Sequence, residues 1–104
     1  MPFRADDAFA AIADPHRRQI IDLLATGDRT AGQVAASFAI SRPAVAKHLK
    51  VLQDQGIVLV RRQGRQRINR LNPAALKPVR DWVAQYDRFW DQRLAALKRQ
   101  VEDR

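Results

Sequence analysis

The chain has 104 residues, a formal net charge of +8 and no cysteine. Its length fits one domain, and the lack of cysteine excludes disulfide bonds and thiolate metal ligands. No apolar run is long enough to cross a membrane, and the acidic first residues are unlike a secretory signal. We therefore expect a single domain over residues 1–104, located in the cytoplasm and making no membrane contact.

The positive charge is concentrated in one part of the chain. Residues 41–70 contain six arginines and two lysines against a single acid, Asp54, whereas charges nearly balance in residues 1–40. A localised basic stripe is typical of proteins that bind nucleic acid. A solvated basic face would give the same count, so charge alone leaves both interpretations open.

The first forty residues predict three helices. Apolar residues recur at helical spacing from Asp6 to Ala13. Asp14-Pro15 then predicts a second helix, because Asp caps free N–H groups and Pro fits the first helical position. Gly27 would end this helix, and Thr30 would cap a third helix from Ala31 to Phe38. The second helix would bury Ile20, Ile21, Leu23 and Leu24.

A helix-turn-helix is predicted at about residues 30–55. Ser41 can cap a fourth helix from Arg42 to Gln55, which Gly56 would stop. Only three residues separate it from the helix before, as the motif requires. In the fourth helix, Val45, Leu49 and Leu52 would point inward, because they share one face at 3.6 residues per turn.

The rest of the chain predicts a small hairpin and a long helix. Ile57–Val60 and Gln66–Leu71 read as strands around a turn at Gly64, giving a wing at about residues 57–72. Apolar and aromatic residues then recur at three- and four-residue steps over about residues 78–101. That stripe would be exposed in a monomer. The fold class is mainly α with a small β-hairpin, a winged helix-turn-helix with a long C-terminal dimerisation helix.

The start of the fourth helix and the wing are the candidate DNA contacts. Recognition helices meet base edges near their N-terminus, where an arginine can donate to guanine O6 and N7. The lysines, the helix N-terminus and the wing arginines suit phosphate or the minor groove. The candidate DNA-binding residues are Ser41, Arg42, Pro43, Lys47, His48, Lys50, Arg62, Arg65 and Arg67.

His48 lies at the flank of the buried face and has two interpretations. It either donates to DNA or packs half-buried against the core. A metal role is not expected, because no second ligand is near it in the sequence, and no cofactor is expected anywhere. Two histidines far apart and no Gly-rich phosphate loop also supply no catalytic constellation, so an enzyme is not expected.

The chain resembles the ArsR family of winged-helix repressors over almost its whole length. The similar segments are residues 13–21 (ADPHRRQII), 41–52 (SRPAVAKHLKVL), 56–58 (GIV), 62–65 (RQGR) and 70–73 (RLNP). The resemblance implies a homodimer joined by its first and last helices, with the fourth helix in the major groove of double-stranded DNA. The residues expected at the dimer interface are Phe9, Val79, Trp82, Val83, Tyr86, Phe89, Trp90, Leu94 and Leu97.

The chain departs from the family pattern at several positions. Without cysteine, and with no histidine on its last helix, it looks like the non-metal-sensing branch, which leaves the effector unidentified. Ala39 stands in the motif turn where the family often has glycine, and Asn69 replaces an aromatic of the second wing strand.

The leading interpretation is a sequence-specific repressor that binds a palindromic operator. The alternatives are a non-specific architectural DNA-binding protein and a protein-interaction module that uses the aromatic helix. That helix forms either a dimer core or the lining of an effector pocket.

Overall fold

The chain folds into four helices, a two-stranded hairpin and two further helices. The computed structural model describes residues 5–102, with side chains for residues 7–102; the first four residues, which bear on a secretory signal, lie outside it. The first four helices are α1 (Ala5–Ile12), α2 (Pro15–Ala25), α3 (Ala31–Ala36) and α4 (Arg42–Asp54). After them come β1 (Val58–Gln63), β2 (Gln66–Leu71), a short 3-10 helix (Pro73–Leu76), α5 (Lys77–Ala84) and α6 (Asp87–Glu102). The predicted mainly helical fold class with an antiparallel hairpin is confirmed.

Side-chain caps begin α2, α3 and α4 at the residues that the sequence predicts. The Asp14 carboxylate accepts the N–H of His16 at 2.8 Å at the start of α2. At α3, Thr30 Oγ1 accepts the Gln33 N–H and Gln33 Oε1 accepts the Thr30 N–H, which makes a complete capping box. Ser41 Oγ accepts the Ala44 N–H at α4. These local hydrogen bonds fix where each helix of the motif starts.

The core lies where α2, α3, α4 and the start of β1 meet. The three residues predicted to point inward from α4 are at most 2% exposed, so that prediction is confirmed. In α2, Ile20 and Leu24 are buried, while Ile21 and Leu23 pack partly buried against the same cluster. Ala39 does not adopt the left-handed conformation, since no described non-glycine residue has positive φ. The motif turn therefore carries no strain at this alanine.

The wing is a tight antiparallel hairpin with a defined register. Val58 pairs with Leu71 at its base and Gln63 with Gln66 at its tip. Gly64 has a φ of +63° at the first turn position, where type II′ turns place a glycine. The right-handed twist of the two strands is thereby continued through the turn.

Asn69 anchors the wing to two other parts of the molecule. Its side chain is only 3% exposed. Its Oδ1 accepts from Gln53 Nε2 of α4 at 2.9 Å, and its Nδ2 donates to the Arg29 carbonyl at 3.2 Å. Backbone hydrogen bonds also join Asn69 and Arg29 in both directions. A hydrogen-bonded amide thus occupies the place where an aromatic was expected from the family pattern.

The structure divides the predicted C-terminal helix into two. After α5, the Tyr86 N–H bonds to the Val83 carbonyl, an i→i+3 bond, and α6 begins one residue later. Neither glycine nor proline marks this break, which is why apolar periodicity alone predicts one continuous helix.

The radius of gyration is 18.0 Å, well above the roughly 13 Å of a compact chain of about this length, and α6 accounts for much of the elongation.

In the described range 5–102, no helix is both long and apolar enough to cross a membrane.

Candidate DNA-binding surface

The exposed side of α4 carries positive charge close to the start of the helix. The positions predicted to point outward, Pro43, Lys47, Lys50 and Asp54, are all exposed, and so is Arg42 at the helix start. Because Ser41 caps the helix, its hydroxyl already accepts the Ala44 N–H at 3.3 Å. Pro43 has no N–H, and the Val45 N–H also bonds to Ser41. The N-terminal end of α4 therefore attracts anions through the positive end of the helix dipole and the cationic side chains beside it.

Arg42 lies across α3, the first helix of the motif. A Cβ added to Gly32 would stand 2.7 Å from Arg42 Nη2, closer than non-bonded atoms can approach. The side chain therefore occupies the space that the absent Gly32 side chain leaves open. This proximity could not be read from the sequence, because the two residues are on different helices.

The two lysines of α4 differ in their surroundings. Lys50 Nζ lies 3.4 Å from Asp54 Oδ2 one turn further along the helix, in an exposed ion pair. Lys47 forms no ion pair within residues 7–102. Exposed pairs of this kind contribute little to stability, so Lys50 is still able to move to a phosphate.

Within the described residues, no side chain of the five wing arginines donates a hydrogen bond or pairs with an acid, and all five are exposed: Arg61, Arg62, Arg65, Arg67 and Arg70. Arg62 stands directly opposite Arg67 on the same face of the hairpin. Like charges in this position repel. Arg65 follows the turn glycine at the tip. A polyanion would relieve the repulsion, so the wing is suited to binding phosphate.

Three arginines before the motif's second helix, Arg17, Arg18 and Arg29, serve the fold instead. Arg17 Nε donates to the Ala11 carbonyl at 2.6 Å, and Arg18 Nη1 donates to the Ile12 carbonyl at 2.7 Å. Arg29 Nη1 donates to the Leu23 carbonyl at 2.6 Å. These cations donate to carbonyls at the C-terminal ends of α1 and α2, where the helix dipole also favours positive charge. The structure thus separates arginines bound to the fold from those available to a ligand.

His48 faces α2 rather than the exposed side of α4. Its ring lies 5.4 Å from the His16 ring, centroid to centroid, and the residue is half-buried. This geometry favours the packing interpretation over a DNA contact. The reasoning that no second ligand is near His48 is wrong, because Asp14, His16 and His48 each offer a ligand atom within 4.8 Å of the others. The fold of α4 onto α2 brings them together.

Asp14 is held in its ionised form at the start of α2. Desolvation of the carboxyl raises its pKa, but the backbone N–H groups of Arg17 and His16 and the charges of His48 and Arg17 outweigh it. The pKa of Asp14 therefore lies below its ordinary value. A carboxylate that caps a helix and faces two histidines is thus available as an anion.

The residues expected at a dimer interface form one continuous apolar stripe. Phe9 of α1 meets Trp82 of α5 edge-on, with ring centroids 5.6 Å apart. The stripe continues from Trp82 through Tyr86 to Phe89 by further ring contacts, while Val79 and Val83 are partly buried. Trp90 is 59% exposed. The large apolar side chains exposed along α5 and α6 are Trp82, Tyr86, Phe89, Trp90, Leu94, Leu97 and Val101.

A cavity of about 430 Å³ lies between α2 and α5. It is lined by the apolar residues Ile12, Ile21, Leu76 and Val79 and by the charged residues Arg18, Asp22 and Arg80. None of the aromatic residues of the stripe lines it. The aromatic residues and this cavity are therefore separate features of the surface.

Comparison with known proteins agrees with this arrangement. Residues 14–59 match the family model described as bacterial regulatory protein, arsR family. The chain is 37% identical over 97 residues to an HTH-type transcriptional regulator of Mycobacterium tuberculosis, covering 93% of this chain and 88% of that protein. It is also 37% identical to the transcriptional repressor SdpR of Bacillus subtilis, over 78% of this chain and 90% of the repressor. An arsenical resistance operon repressor of Staphylococcus xylosus is 34% identical over 59% of each chain.

A solved structure supports the same assignment. It is the solution structure described as the homodimeric winged helix-turn-helix DNA-binding domain of a possible ArsR-family regulator from Mycobacterium bovis. The two chains superpose with a TM-score of 0.64 at 26% identity, covering 78% of each. The motif helices, the wing and the sequence relatives together show that this chain belongs to the ArsR family of transcriptional regulators and repressors, with a winged helix-turn-helix DNA-binding domain.

Proposed function

We propose that the chain is a homodimeric repressor that binds a palindromic operator through α4 and the wing. The observation that carries this proposal is the set of unpaired cations on two neighbouring elements. The wing arginines have no acidic partner within residues 7–102, while the arginines of α2 and the α2–α3 loop are bound to carbonyls. Exposed, unneutralised charge concentrated on a helix-turn-helix and its wing suits a DNA backbone.

In this proposal α4 lies in the major groove and Arg42 reads a base edge. Arg42 stands in the first turn, the part of a recognition helix that meets bases, and Gly32 leaves it room to lie across α3. Lys47 and Lys50 bind phosphates beside the groove, together with the capped N-terminus at Ser41 and Pro43. We leave His48 out of the contact set, because its ring packs towards α2.

The wing contributes affinity rather than base selection. Arg65 at the tip and the opposed pair Arg62 and Arg67 bind backbone or the minor groove. Contacts of this kind hold the protein in register on the duplex without selecting a sequence. The repulsion between the paired arginines disappears when phosphates neutralise them.

The dimer forms through α1, α5 and α6. Seven large apolar side chains are exposed along α5 and α6 of the single chain, and contiguous apolar surface of this kind marks an interaction site. The Phe9–Trp82 contact joins α1 to the stripe. The solved Mycobacterium bovis domain, which is described as homodimeric, supports a second copy as the partner. Two-fold symmetry would then place two α4 helices on two half-sites.

The effector that would release this repressor from DNA is not a thiophilic metal bound by cysteine. The chain has no cysteine, so arsenite has no thiolate to bind. We therefore place the chain with those family members that do not sense metals through thiolates, although an arsenical resistance repressor is among its relatives. Stoichiometric arsenite should leave the affinity for DNA unchanged in a titration followed by fluorescence anisotropy. A loss of binding under reducing conditions would contradict this placement.

Selection from random DNA followed by competition tests the proposal as a whole. We expect an enriched sequence with inverted symmetry, its half-sites about one helical turn apart or a multiple of it. The selected site should compete at least about 10³-fold better than random DNA of equal length, as sequence-specific proteins do. Equal competition by random DNA would favour the architectural alternative, and no DNA binding at all would favour a protein-interaction module.

A further inference from the structure

We infer that Asp14, His16 and His48 form a zinc-binding site that joins the start of α2 to α4. Each residue offers one ligand atom, and these atoms all lie within 4.8 Å of one another. The inference goes beyond the proposed function, because it rests on the packing of α4 against α2 and not on any contact with DNA.

The ligand types suit a borderline metal ion. Zinc is bound by imidazole nitrogen and carboxylate oxygen at about 2.0–2.2 Å, and many sites use three protein ligands with water in the fourth position. His16 Nδ1 lies 3.8 Å from Asp14 Oδ1, a separation that two such bonds to one ion can span. Two imidazoles and a carboxylate also disfavour calcium and magnesium, which prefer oxygen ligands alone.

Each of the three side chains still offers a ligand atom to an ion. Asp14 Oδ1 accepts the N–H groups of His16 and Arg17, whereas its Oδ2 accepts no hydrogen bond from the described residues. The side chain of His16 is 46% exposed, so its ring can rotate to bring its nitrogen nearer. His48 is half-buried and already faces the His16 ring, which fixes one ligand in place.

The chain has only these two histidines and no cysteine. They stand far apart in the sequence, on different helices, and the fold brings their rings together. Any metal signal from imidazole in this protein must therefore come from this site. A zinc-binding measurement on this protein is therefore simple to interpret, since no other imidazole or thiolate can compete for the ion.

Zinc titration of the full chain against a chromophoric chelator tests the site directly. We expect one zinc ion per chain, and Co²⁺ in its place should give the visible absorption of a low-coordinate nitrogen and oxygen site. His16→Gln should lower the zinc affinity at least about tenfold, since even partners one shell removed from a metal typically contribute 10–100-fold. In the zinc-loaded wild type, the ring signals of both histidines should shift together in NMR spectra.

Two further variants separate metal binding from folding. Asp14→Asn keeps the helix cap, because asparagine caps as well as aspartate, but it removes the anionic ligand and should weaken zinc binding to a similar degree. Asp91→Asn on the exposed side of α6 is the matched control and should bind as the wild type does. The inference is overturned if the wild type binds zinc no more tightly than His16→Gln, or if Asp91→Asn lowers the affinity as much as Asp14→Asn.

Discussion

Two arginines in the basic region are expected to make different kinds of contact with DNA. Arg42 stands at the start of α4, so Arg42→Ala should cost roughly 1–3 kcal/mol on the selected operator and relax discrimination at one base pair of each half-site. Arg65 lies at the tip of the wing, so Arg65→Ala should weaken operator and random DNA by similar factors. Binding to the operator, to single-base variants and to random DNA provides the measurement.

The salt dependence of binding gives an independent check on these two roles. Loss of one phosphate contact makes the slope of log affinity against log salt shallower by about 0.9. Arg65→Ala should show this change once per subunit. If Arg42→Ala lowers affinity for every DNA equally, Arg42 does not read a base, and the architectural alternative gains support.

Gly32 controls the position of Arg42 from the neighbouring helix. A Cβ at Gly32 would stand 2.7 Å from Arg42 Nη2, and the end of a flexible side chain can move aside. Gly32 is the second residue of the six-residue helix α3, so Gly32→Ala should leave the free energy of unfolding unchanged or slightly higher, because alanine favours helix more than glycine does. Binding to the operator should become weaker. The double variant with Arg42→Ala should show no further loss of binding. A Gly32→Ala protein with unchanged operator affinity would show that the contact does not position Arg42.

At the scale of elements, the attachment of the wing depends on one buried amide. Asn69→Ala removes a partner from both Gln53 and the Arg29 carbonyl. The Arg29 carbonyl keeps the backbone N–H of residue 69, so the cost comes from the two lost side-chain hydrogen bonds, which should lower the free energy of unfolding by about 1–3 kcal/mol together. Hydrogen exchange of the β2 backbone should become faster at the same time. The exposed residue Gln66, at the other end of β2, supplies the control, since Gln66→Ala should change neither; equal effects of the two variants would rule out the anchor.

The elements that the sequence predicts well are those whose signals are local. Thr30 and Ser41 each accept a hydrogen bond from a backbone N–H three residues further along the chain. The start of each motif helix can therefore be predicted from a few neighbouring residues. The spacing of Val45, Leu49 and Leu52 likewise fixes which side of α4 is buried. Counting charges along the sequence also predicts α4 and the wing as the basic surface, because their cations lie within one segment, residues 41–70.

The features that the sequence does not predict depend on distant residues. The Asn69 side chain bonds to a carbonyl 40 positions away, and His16 meets His48 only because α4 packs on α2. The break at Tyr86 has a different cause, since an i→i+3 bond replaces i→i+4 without glycine or proline to mark it. Periodicity continues across such a turn, so apolar spacing cannot detect it.

At the scale of the whole molecule, the apolar stripe of α5 and α6 should hold two chains together. Truncating a buried aromatic typically costs about 3–5 kcal/mol, so Trp82→Ala or Trp90→Ala should shift the dimer towards monomer in sedimentation. Operator affinity should fall with it, since a monomer reads one half-site. Arg99 lies about 180° around α6 from Trp90, and Arg99→Gln should leave assembly unchanged. A wild type that is monomeric at micromolar concentration would refute the interface.

The facing arginines of the wing also have a consequence for the free protein. Arg62 and Arg67 stand opposite each other without an acid to separate them, so the unbound molecule folds against its own electrostatic self-repulsion. Dissolved ions screen that repulsion, and the same ions compete with the protein for phosphate. Raising the ionic strength should therefore stabilise the free regulator while it weakens the complex. The charge that makes the wing attractive to DNA leaves the folded chain better stabilised on its operator than away from it.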